Sequence, residues 1–591
     1  MRVLRARPLL GCLLATALGC TGTVTVPAPA ERDTGASGGS TSNTGGASGS
    51  SGTAAKSSGG TTTGGAGTTS GSSGTTNDPT PEACAKQTGA ALKVGRSRLS
   101  RLTRTQLDHT LRDLLGVAGS PSSALTPDET VGPFASNALA VVTDLIVEQH
   151  QELAAKVALD AQSRRAKITP CDLASGDACV KTFITSFGAK AYRRPLLDEE
   201  IAAYTALYGI GGTPDNGFRL VLEAMLQSPF FLYHADVGPT GTPSATPVSL
   251  TAYELASRLS YFIWDSMPDQ ALFDLAAKDA LDDEATLRDQ VTRMLADPRA
   301  KDAVPLFHLQ WLDISAAQLG SLASAEPALA EAMLAEASDF SNHVVLAGDG
   351  RLSTLFTAPY SYPRGALFDI YGLSKPASFT DGTQVMLDGT ERAGLLTQAG
   401  FLVKHYRGDQ EGSVVHRGIT IRENVLCTPI DPPPANVMAT PLPPVAGTTA
   451  RDRFAAHETG SCAGCHTQMD PIGLAFENYD GLGRYRATDG GVTIDASGEI
   501  VDGGDLTGSF TGVVELGQKL AQSRTVADCA ATQWFRFALG RIEAPDDACS
   551  LKALHDDFAA SGYDVRALVT TLVLSDAFRH VRAIGAAEDK P

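Results

Sequence analysis

Apolar residues recur at helical spacing over most of the chain beyond residue 95, and alternating strand patterns are few. Thr103 and Gln106 form a capping-box pattern ahead of leucines at helical spacing, and Gly116 stands where that helix would end. Thr251 and Glu254 repeat the capping pattern ahead of a second apolar stripe. The pattern predicts a mainly α fold.

Further helical patterns fill the rest of the chain, and one segment departs from them. Residues 490–512 are rich in Gly and Asp with alternating Val and Ile, which predicts a small β-hairpin insertion. The other predicted helices cover 137–167, 183–192, a segment that starts at Asp198, 218–233 with an interruption near Pro229, 269–280, 283–296, 301–312, 328–346 and parts of 394–427 and 512–582.

The first residues have the order of a secretory signal: arginines, an apolar run, then small residues before Cys20. The apolar run is too short to span a bilayer. Residues 17–20 resemble a lipoprotein cleavage site, although Ala17 stands where leucine is usual, and ordinary signal cleavage is the alternative. We expect removal of 1–19, lipidation of Cys20, and an exported, membrane-anchored lipoprotein in the periplasm or on the cell surface.

Residues 20–81 consist mostly of Gly, Ser, Thr and Ala and contain no aromatic residue. Such a segment cannot bury enough apolar surface to fold, so we expect a disordered tether that holds the body off the membrane. The formal net charge of the whole chain is -18. An acidic balance argues against a nucleic-acid partner, because phosphate binding needs clustered Lys and Arg.

The strongest chemical signal is a Cys-x-x-Cys-His element made by Cys462, Cys465 and His466. In such an element both thiols bind haem as thioethers and the histidine binds the iron. With 10 Cys and 11 His in 591 residues, chance would produce the element about 0.003 times. The alternatives are a Cys462–Cys465 disulfide and a zinc half-site with His457 or His466. The spacing favours covalent haem c.

The second axial ligand would decide between electron transfer and small-ligand chemistry. No methionine follows Met469, which lies three residues after His466 and is therefore expected on the proximal side. Met438, in a proline-rich segment, and His457 are the candidates for the distal position. An open distal site is the third alternative.

Two arginines after the element are candidates for contacts with haem propionates. Arg484 and Arg486 carry guanidinium groups, which suit carboxylates. In the alternative interpretation they are surface residues that pair with Glu477 or Asp480. Asp470-Pro471 is expected to be a turn that ends the haem-binding segment.

The remaining cysteines of the mature chain are expected to form disulfides, because an exported protein meets an oxidising compartment. Short loops cost least to close, so neighbouring cysteines are the first choice as partners. Sequence alone does not fix the connectivity. The expected pairs are Cys171 with Cys179, Cys529 with Cys549 and, by remainder, Cys84 with Cys427.

Several motifs occur together in one order along the chain. They are Arg101-Leu102-Thr103-Arg104-Thr105-Gln106, Tyr192-Arg193-Arg194-Pro195-Leu196, Gln227-Ser228-Pro229-Phe230-Phe231, the run from His457 through the Cys-x-x-Cys-His element to Arg486, and Ala538-Leu539-Gly540-Arg541. In this order they resemble the modules of large exported planctomycete and myxobacterial proteins. Those proteins are built from domains of unknown function 1587, 1595, 1592, 1588 and 1585.

The resemblance implies a multi-domain helical body with a C-terminal cytochrome c-like module, and it assigns no activity. We expect the following order: signal peptide 1–19, tether 20–81, N-terminal helical module 82–168, second helical module 169–240, central helical module 241–393, cytochrome c-like module 394–489 and C-terminal helical module 490–591.

These observations favour an exported c-type haem protein for electron transfer outside the cytoplasm, which would serve an oxidoreductase as its haem partner. We favour an electron-transfer protein over a self-contained enzyme. The expected partners are the membrane, through the lipid anchor, and an unidentified redox protein. One alternative is a non-redox surface protein that binds a polymer or a partner and has a structural Cys pair. The other is a haem peroxidase or oxygenase with an open distal site.

Overall fold

The computed structural model describes residues 79–85, 91–97, 99–239, 246–404, 413–431, 445 and 447–583. The predicted signal peptide, the predicted lipidation site at Cys20, the tether up to residue 78 and Met438 lie outside the described residues.

Helices make up most of the described chain, which confirms the predicted mainly α fold. Two π-helical segments, His343–Ala347 and Ile421–Val425, directly follow the helices α14 and α18 given below. The α-helices are α1 Pro81–Ala85, α2 Arg104–Leu115, α3 Asp144–Ala161, α4 Arg165–Ile168, α5 Asp177–Tyr192, α6 Asp198–Ile210, α7 Pro214–Leu226, α8 Pro229–Leu232, α9 Ala252–Trp264, α10 Gln270–Ala276, α11 Glu284–Leu295, α12 Ala300–Trp311, α13 Leu322–Ala325, α14 Pro327–Asn342, α15 Leu352–Thr357, α16 Leu367–Ile370, α17 Ala399–Leu402, α18 Val414–Thr420, α19 Ala450–Phe454, α20 Ala463–Leu474, α21 Gly512–Gln522, α22 Arg524–Leu539, α23 Ala548–Ala560, α24 Val565–Leu574 and α25 Asp576–Arg579.

Local capping sets the helix starts that the sequence predicts. At α2, Gln106 N donates to Thr103 Oγ1 at 3.3 Å, and Thr103 N donates to Gln106 Oε1 at 3.1 Å. The same reciprocal bonds join Thr251 and Glu254 at the start of α9. Gly116 ends α2 at a φ of 68°, a left-handed conformation that glycine adopts without a Cβ penalty.

One long helix begins later than predicted. The expected helix over 137–167 starts only at Asp144, because Thr143 caps it: Ile146 N donates to Thr143 Oγ1 at 3.3 Å. Asn137, at the predicted start, instead uses its side-chain amide to bond Asp128 Oδ1 at 2.7 Å. A polar side chain that bonds locally competes with helix formation, which explains the difference.

The strands are two to four residues long and form small sheets. Strand β1, Arg96–Ser97, runs parallel to β13, His580–Ala583, and β13 in turn pairs antiparallel with β6, Val248–Ser249. The antiparallel pairs β9–β10 and β11–β12 occupy the segment where a hairpin is predicted. The strands are β1 Arg96–Ser97, β2 Ser100–Arg101, β3 Thr130–Val131, β4 Phe134–Ala135, β5 Tyr233–His234, β6 Val248–Ser249, β7 Tyr360–Ser361, β8 Val385–Met386, β9 Thr488–Asp489, β10 Val492–Thr493, β11 Ser497–Ile500, β12 Gly508–Thr511 and β13 His580–Ala583.

The described helical modules belong to one compact unit. Its main hydrophobic core combines residues that lie far apart in the sequence. Phe307 of α12 stacks on Trp534 of α22 with ring centroids 3.8 Å apart, and Phe262 of α9 packs edge-on against Trp534 at 6.1 Å. A second core lies among α2, α3, α5 and α7. Within the described ranges, no helix has the length and apolar character needed to cross a bilayer.

Disulfides join described cysteines, and their connectivity corrects the sequence-based pairing. The predicted bond between Cys171 and Cys179 is confirmed. The pairing of the other cysteines was wrong, because the fold brings distant segments together and closure cost rises only slowly with loop length. The observed bonds are Cys84–Cys549 and Cys427–Cys529, in place of Cys529 with Cys549 and Cys84 with Cys427.

Candidate functional site

Helix α20 begins at the Cys-x-x-Cys-His element and packs closely against α18. Two glycines permit this contact. A Cβ on Gly418 would lie 2.2 Å from Met469 O, and a Cβ on Gly473 would lie 2.0 Å from Val414 O. No Cβ fits at such distances without a backbone shift, so the two glycines set the position of α20.

Two buried arginines, one on α18 and one in the π-helical segment that follows it, add polar contacts around α20. Arg417 has no exposed surface and donates from Nε to Leu402 O at 3.1 Å and from Nη1 to Phe476 O at 3.3 Å. Arg422 donates from Nη2 to Gln468 Oε1 on α20 at 3.2 Å. These bonds connect α18 and the segment that follows it to α17, to α20 and to the residues just after α20.

Cys462 and Cys465 are the free cysteines of the described chain, and both are partly buried. The other described cysteines form disulfides. Cys465 Sγ lies 3.8 Å from Asp431 O, at the edge of the proline-rich segment. The structure therefore gives no support to the alternative in which Cys462 and Cys465 form a structural disulfide.

His466 stands one helical turn before Asp470 on α20. Its Nδ1 lies 2.9 Å from Asp470 Oδ2, and Nδ1 of His457 lies 3.7 Å from the same oxygen. The two imidazole centroids are 4.2 Å apart, and Phe454 packs edge-on against His457 at 5.2 Å. The potential ligand atoms of His457, His466 and Asp470 all lie within 4.8 Å of one another.

Burial controls protonation in this cluster. Asp470 is 4% exposed, and burial raises the pKa of its carboxyl to about 7 while His457 lowers it. Burial also lowers the pKa of the His466 imidazole, which favours its neutral form. A neutral His466 that donates Nδ1–H to Asp470 keeps the lone pair on Nε2 for a metal. This arrangement fits His466 as a ligand of haem iron.

Asp470 was not recognised as a site residue from the sequence. Asp470-Pro471 was expected to be a turn, and that expectation was wrong because both residues lie inside α20. Pro471 has no N–H to bond Thr467 O, yet the helix continues to Leu474. The i,i+4 spacing of His466 and Asp470 is the signal that a helical interpretation would have provided.

The two arginines after the element have carboxylate partners. Arg484 is half-exposed, with Nη1 3.7 Å from Asp480 Oδ2. Arg486 places Nη1 2.8 Å from Asp489 Oδ1 and Nη2 3.4 Å from Glu477 Oε2. This is the pairing of the alternative interpretation, so contact with haem propionates would require these side chains to exchange partners.

His457 lies beside His466 in this arrangement. Imidazoles that bind opposite faces of one iron would have ring centroids about 6 Å apart, since each nitrogen lies about 2 Å from the metal. The observed separation is 4.2 Å, with both Nδ1 atoms directed at Asp470. His457 would have to move before it could serve as the distal ligand.

Family models match most of the body, one after another along the chain. They describe proteins of unknown function: DUF1587 over 100–162, DUF1595 over 179–236, DUF1592 over 250–373, DUF1588 over 392–489 and DUF1585 over 508–578. The chain therefore contains all five of these domains. The Cys-x-x-Cys-His element lies in the DUF1588 domain, and the order of the domains is the one that the motifs predict. No curated protein and no solved structure matches the chain.

Proposed function

We propose that the chain is a c-type haem protein for electron transfer outside the cytoplasm. Cys462 and Cys465 would hold haem c as thioethers, and His466 would bind its iron. The observation that carries the proposal is a pair of free thiols at the start of a helix whose next histidine is oriented by the carboxylate of Asp470. The five-domain family is compatible with a cytochrome c-like function.

The placement of the thiols favours haem over a zinc site built from Cys and His. A structural zinc ion needs thiolates and imidazoles that converge on one point. The described cluster of ligand atoms contains His457, His466 and Asp470, and neither thiol belongs to it. Haem c needs the thiols at the edge of the macrocycle and the imidazole at its centre. Bound haem would supply a one-electron iron couple.

The cysteines and the amino-terminal residues support the proposed cellular setting. Disulfides at Cys84–Cys549, Cys171–Cys179 and Cys427–Cys529 support an oxidising compartment. The signal-like start supports export, with Cys20 as the proposed lipid anchor to the membrane. We retain Met438 as the proposed second axial ligand and an unidentified redox protein as the partner.

The visible spectrum of mature protein made with cytochrome c maturation machinery tests the haem. We expect c-type absorption bands and haem that stays attached through acidic acetone extraction. Cys465→Ala should lose its thioether, because one anchor is removed. The matched control is Cys171→Ala with Cys179→Ala, which removes another closely spaced pair and should keep the haem. A colourless wild-type protein would contradict the proposal.

A divalent metal at His457, His466 and Asp470 is the second candidate, because these ligand atoms lie within 4.8 Å of one another. The two candidates share His466 and differ in the other residues that they need: haem c needs Cys462 and Cys465, and the metal needs His457 and Asp470. Replacement of both Cys462 and Cys465 by alanine should remove covalent haem and spare a metal ion, whereas His457→Ala should remove the metal ion and spare covalent haem. Metal analysis that finds one zinc per wild-type chain, lost in His457→Ala, would replace haem with a metal site.

A further inference from the structure

A cavity of about 520 Å³ lies among four of the five family domains. Its walls come from the start of α2, the β3–β4 hairpin, α9 and the segment after α22. None of its described lining residues belongs to the domain that carries the Cys-x-x-Cys-His element. The volume is within the range of about 300–1,000 Å³ that is usual for small-molecule sites.

Asp265, which lines the cavity, lies 3.0 Å from His109 Nδ1, and three arginine–carboxylate pairs hold most of the other charged groups around the cavity. Two of these pairs lie wholly in the lining, and in the third an arginine of the lining meets a carboxylate behind it. A free anion would have to displace a carboxylate from an arginine, and a free cation would have to displace an arginine, which costs affinity in either case. The pairs are Arg258–Asp236 at 2.9 Å, Arg541–Asp547 at 2.6 Å and Arg582–Asp546 at 2.9 Å.

Neutral hydrogen-bonding groups complete the lining. His234 Nε2 lies 3.1 Å from Gln106 Oε1, and the ring of His234 stands edge-on to Tyr261 with centroids 4.7 Å apart. Burial lowers the pKa of His234 to about 4, so the imidazole is neutral at neutral pH. Gln310 Oε1 accepts from Ala135 N at 3.1 Å. The second amide atom of Gln310 is a donor.

We propose that this cavity binds a neutral polyhydroxylated ligand of mono- or disaccharide size. A hydroxyl group both donates and accepts, so it can bridge a guanidinium and a carboxylate without breaking their pair. Apolar side chains such as Phe537 and Leu539 also line the cavity and suit the C–H faces of a sugar ring. Leu139 and Ile542 line it while 59% and 49% exposed, which places them at its mouth.

Ligand-observed NMR and equilibrium dialysis on the full mature chain test the ligand class. The neutral probes are glucose, galactose, maltose and cellobiose, and the charged probes are gluconate and glucosamine. We expect at least one neutral saccharide to bind with a Kd below about 1 mM and about tenfold more tightly than either charged probe. Preference for a charged probe, or no binding of neutral saccharides up to about 10 mM, would overturn the proposal.

Matched tryptophan variants locate the binding. Leu139→Trp fills the mouth of the cavity, whereas Leu159→Trp changes a leucine of similar exposure, 61%, that does not line it. We expect Leu139→Trp to weaken saccharide binding about tenfold or more and Leu159→Trp to leave it within about twofold. Equal effects of the two variants would place the ligand elsewhere and overturn the proposal.

A change of charge in the lining of the cavity gives a further test of saccharide binding. Asp546→Asn replaces one acceptor oxygen with a donor and removes the negative charge opposite Arg582, so a neutral saccharide should bind about tenfold more weakly. Tighter saccharide binding to Asp546→Asn would overturn the proposal.

Cys465→Ala tests whether the saccharide site is independent of haem. This variant should retain saccharide binding, because none of the described residues that line the cavity belongs to the Cys-x-x-Cys-His domain. The saccharide site can therefore fail while the haem proposal stands, and the reverse also holds.

Discussion

Asp470 gives the Cys-x-x-Cys-His element a histidine–carboxylate pair. The carboxylate lies 2.9 Å from His466 Nδ1 and is almost fully buried. In metal sites such a carboxylate fixes the tautomer of the histidine and raises the basicity of the ligating nitrogen. A more basic ligand stabilises ferric iron relative to ferrous iron, so Asp470 should hold the reduction potential of a bound haem low.

Asp470→Asn tests this role. The amide keeps the size of the side chain and removes the charge that the carboxyl has above its pKa of about 7, so the reduction potential measured above that pH should rise. The expected rise is on the order of 60–120 mV, the one-electron equivalent of a 10–100-fold effect. Potentiometric titration followed by visible spectroscopy measures it. Asp495→Asn is the control, because Asp495 is exposed and pairs with Arg451; a similar shift in both variants would exclude a specific effect.

The residues of the candidate site differ in how far the sequence alone identifies them. Cys462, Cys465 and His466 could be singled out because a Cys-x-x-Cys-His element is defined by spacing along the chain, which the sequence displays directly. Asp470 could not be found once its segment was interpreted as a turn, since its role depends on helical spacing. The position of His457 beside His466 depends on packing of the 3₁₀ turn Ala455–Glu458, which no local pattern determines.

At the scale of elements, the α18–α20 contact explains two glycines that helix propensity disfavours. A glycine inside a helix costs about 1 kcal/mol relative to alanine. Gly418 and Gly473 nevertheless lie inside helices, because each is in contact with backbone of the opposite helix. The capped starts of α2 and α9 were predictable from sequence because capping is local. The glycine contact was not, because it joins segments about 50 residues apart.

Gly473→Ala and Gly464→Ala form a matched pair within α20. A Cβ at Gly473 would lie 2.0 Å from Val414 O, whereas a Cβ at Gly464 meets nothing within 4 Å. Gly473→Ala should lower the free energy of unfolding by about 1–3 kcal/mol through overpacking. Gly464→Ala should raise it by about 0.5–1 kcal/mol through helix propensity. Thermal and denaturant unfolding measure the free energy of unfolding of both variants. Equal destabilisation by the two substitutions would show that the close contact between Gly473 and Val414 O does not affect stability.

At the scale of the whole molecule, the family domains share structure that their sequence order does not reveal. The sheet β1–β13–β6 joins segments before the first domain, after the last domain and before the central one. The order of the domains could be predicted because each domain has local motifs. The shared core and the 520 Å³ cavity could not, because their residues come together only in the folded chain.

The corrected disulfides give a prediction at this scale. Cys427–Cys529 closes a sequence separation of 102 residues, and Cys171–Cys179 closes one of 8. A crosslink limits the unfolded chain more when its loop is longer, so the chain-entropy model assigns about 4–5 kcal/mol to the first bond and about 2–3 kcal/mol to the second.

Double alanine variants test the expected ranking of the two disulfides, and peptide mapping tests their connectivity. Cys427→Ala with Cys529→Ala should lower the denaturation midpoint more than Cys171→Ala with Cys179→Ala, under identical oxidising conditions. Non-reducing peptide mapping of the wild type should recover Cys84 linked to Cys549, the bond with a separation of 465 residues. Recovery of Cys529 linked to Cys549 would contradict the observed fold, because Cys529 on α22 is held against the segment after α18 through its bond to Cys427. If the connectivity holds and the ranking is reversed, native packing around Cys171 and Cys179 outweighs the entropy of the larger loop.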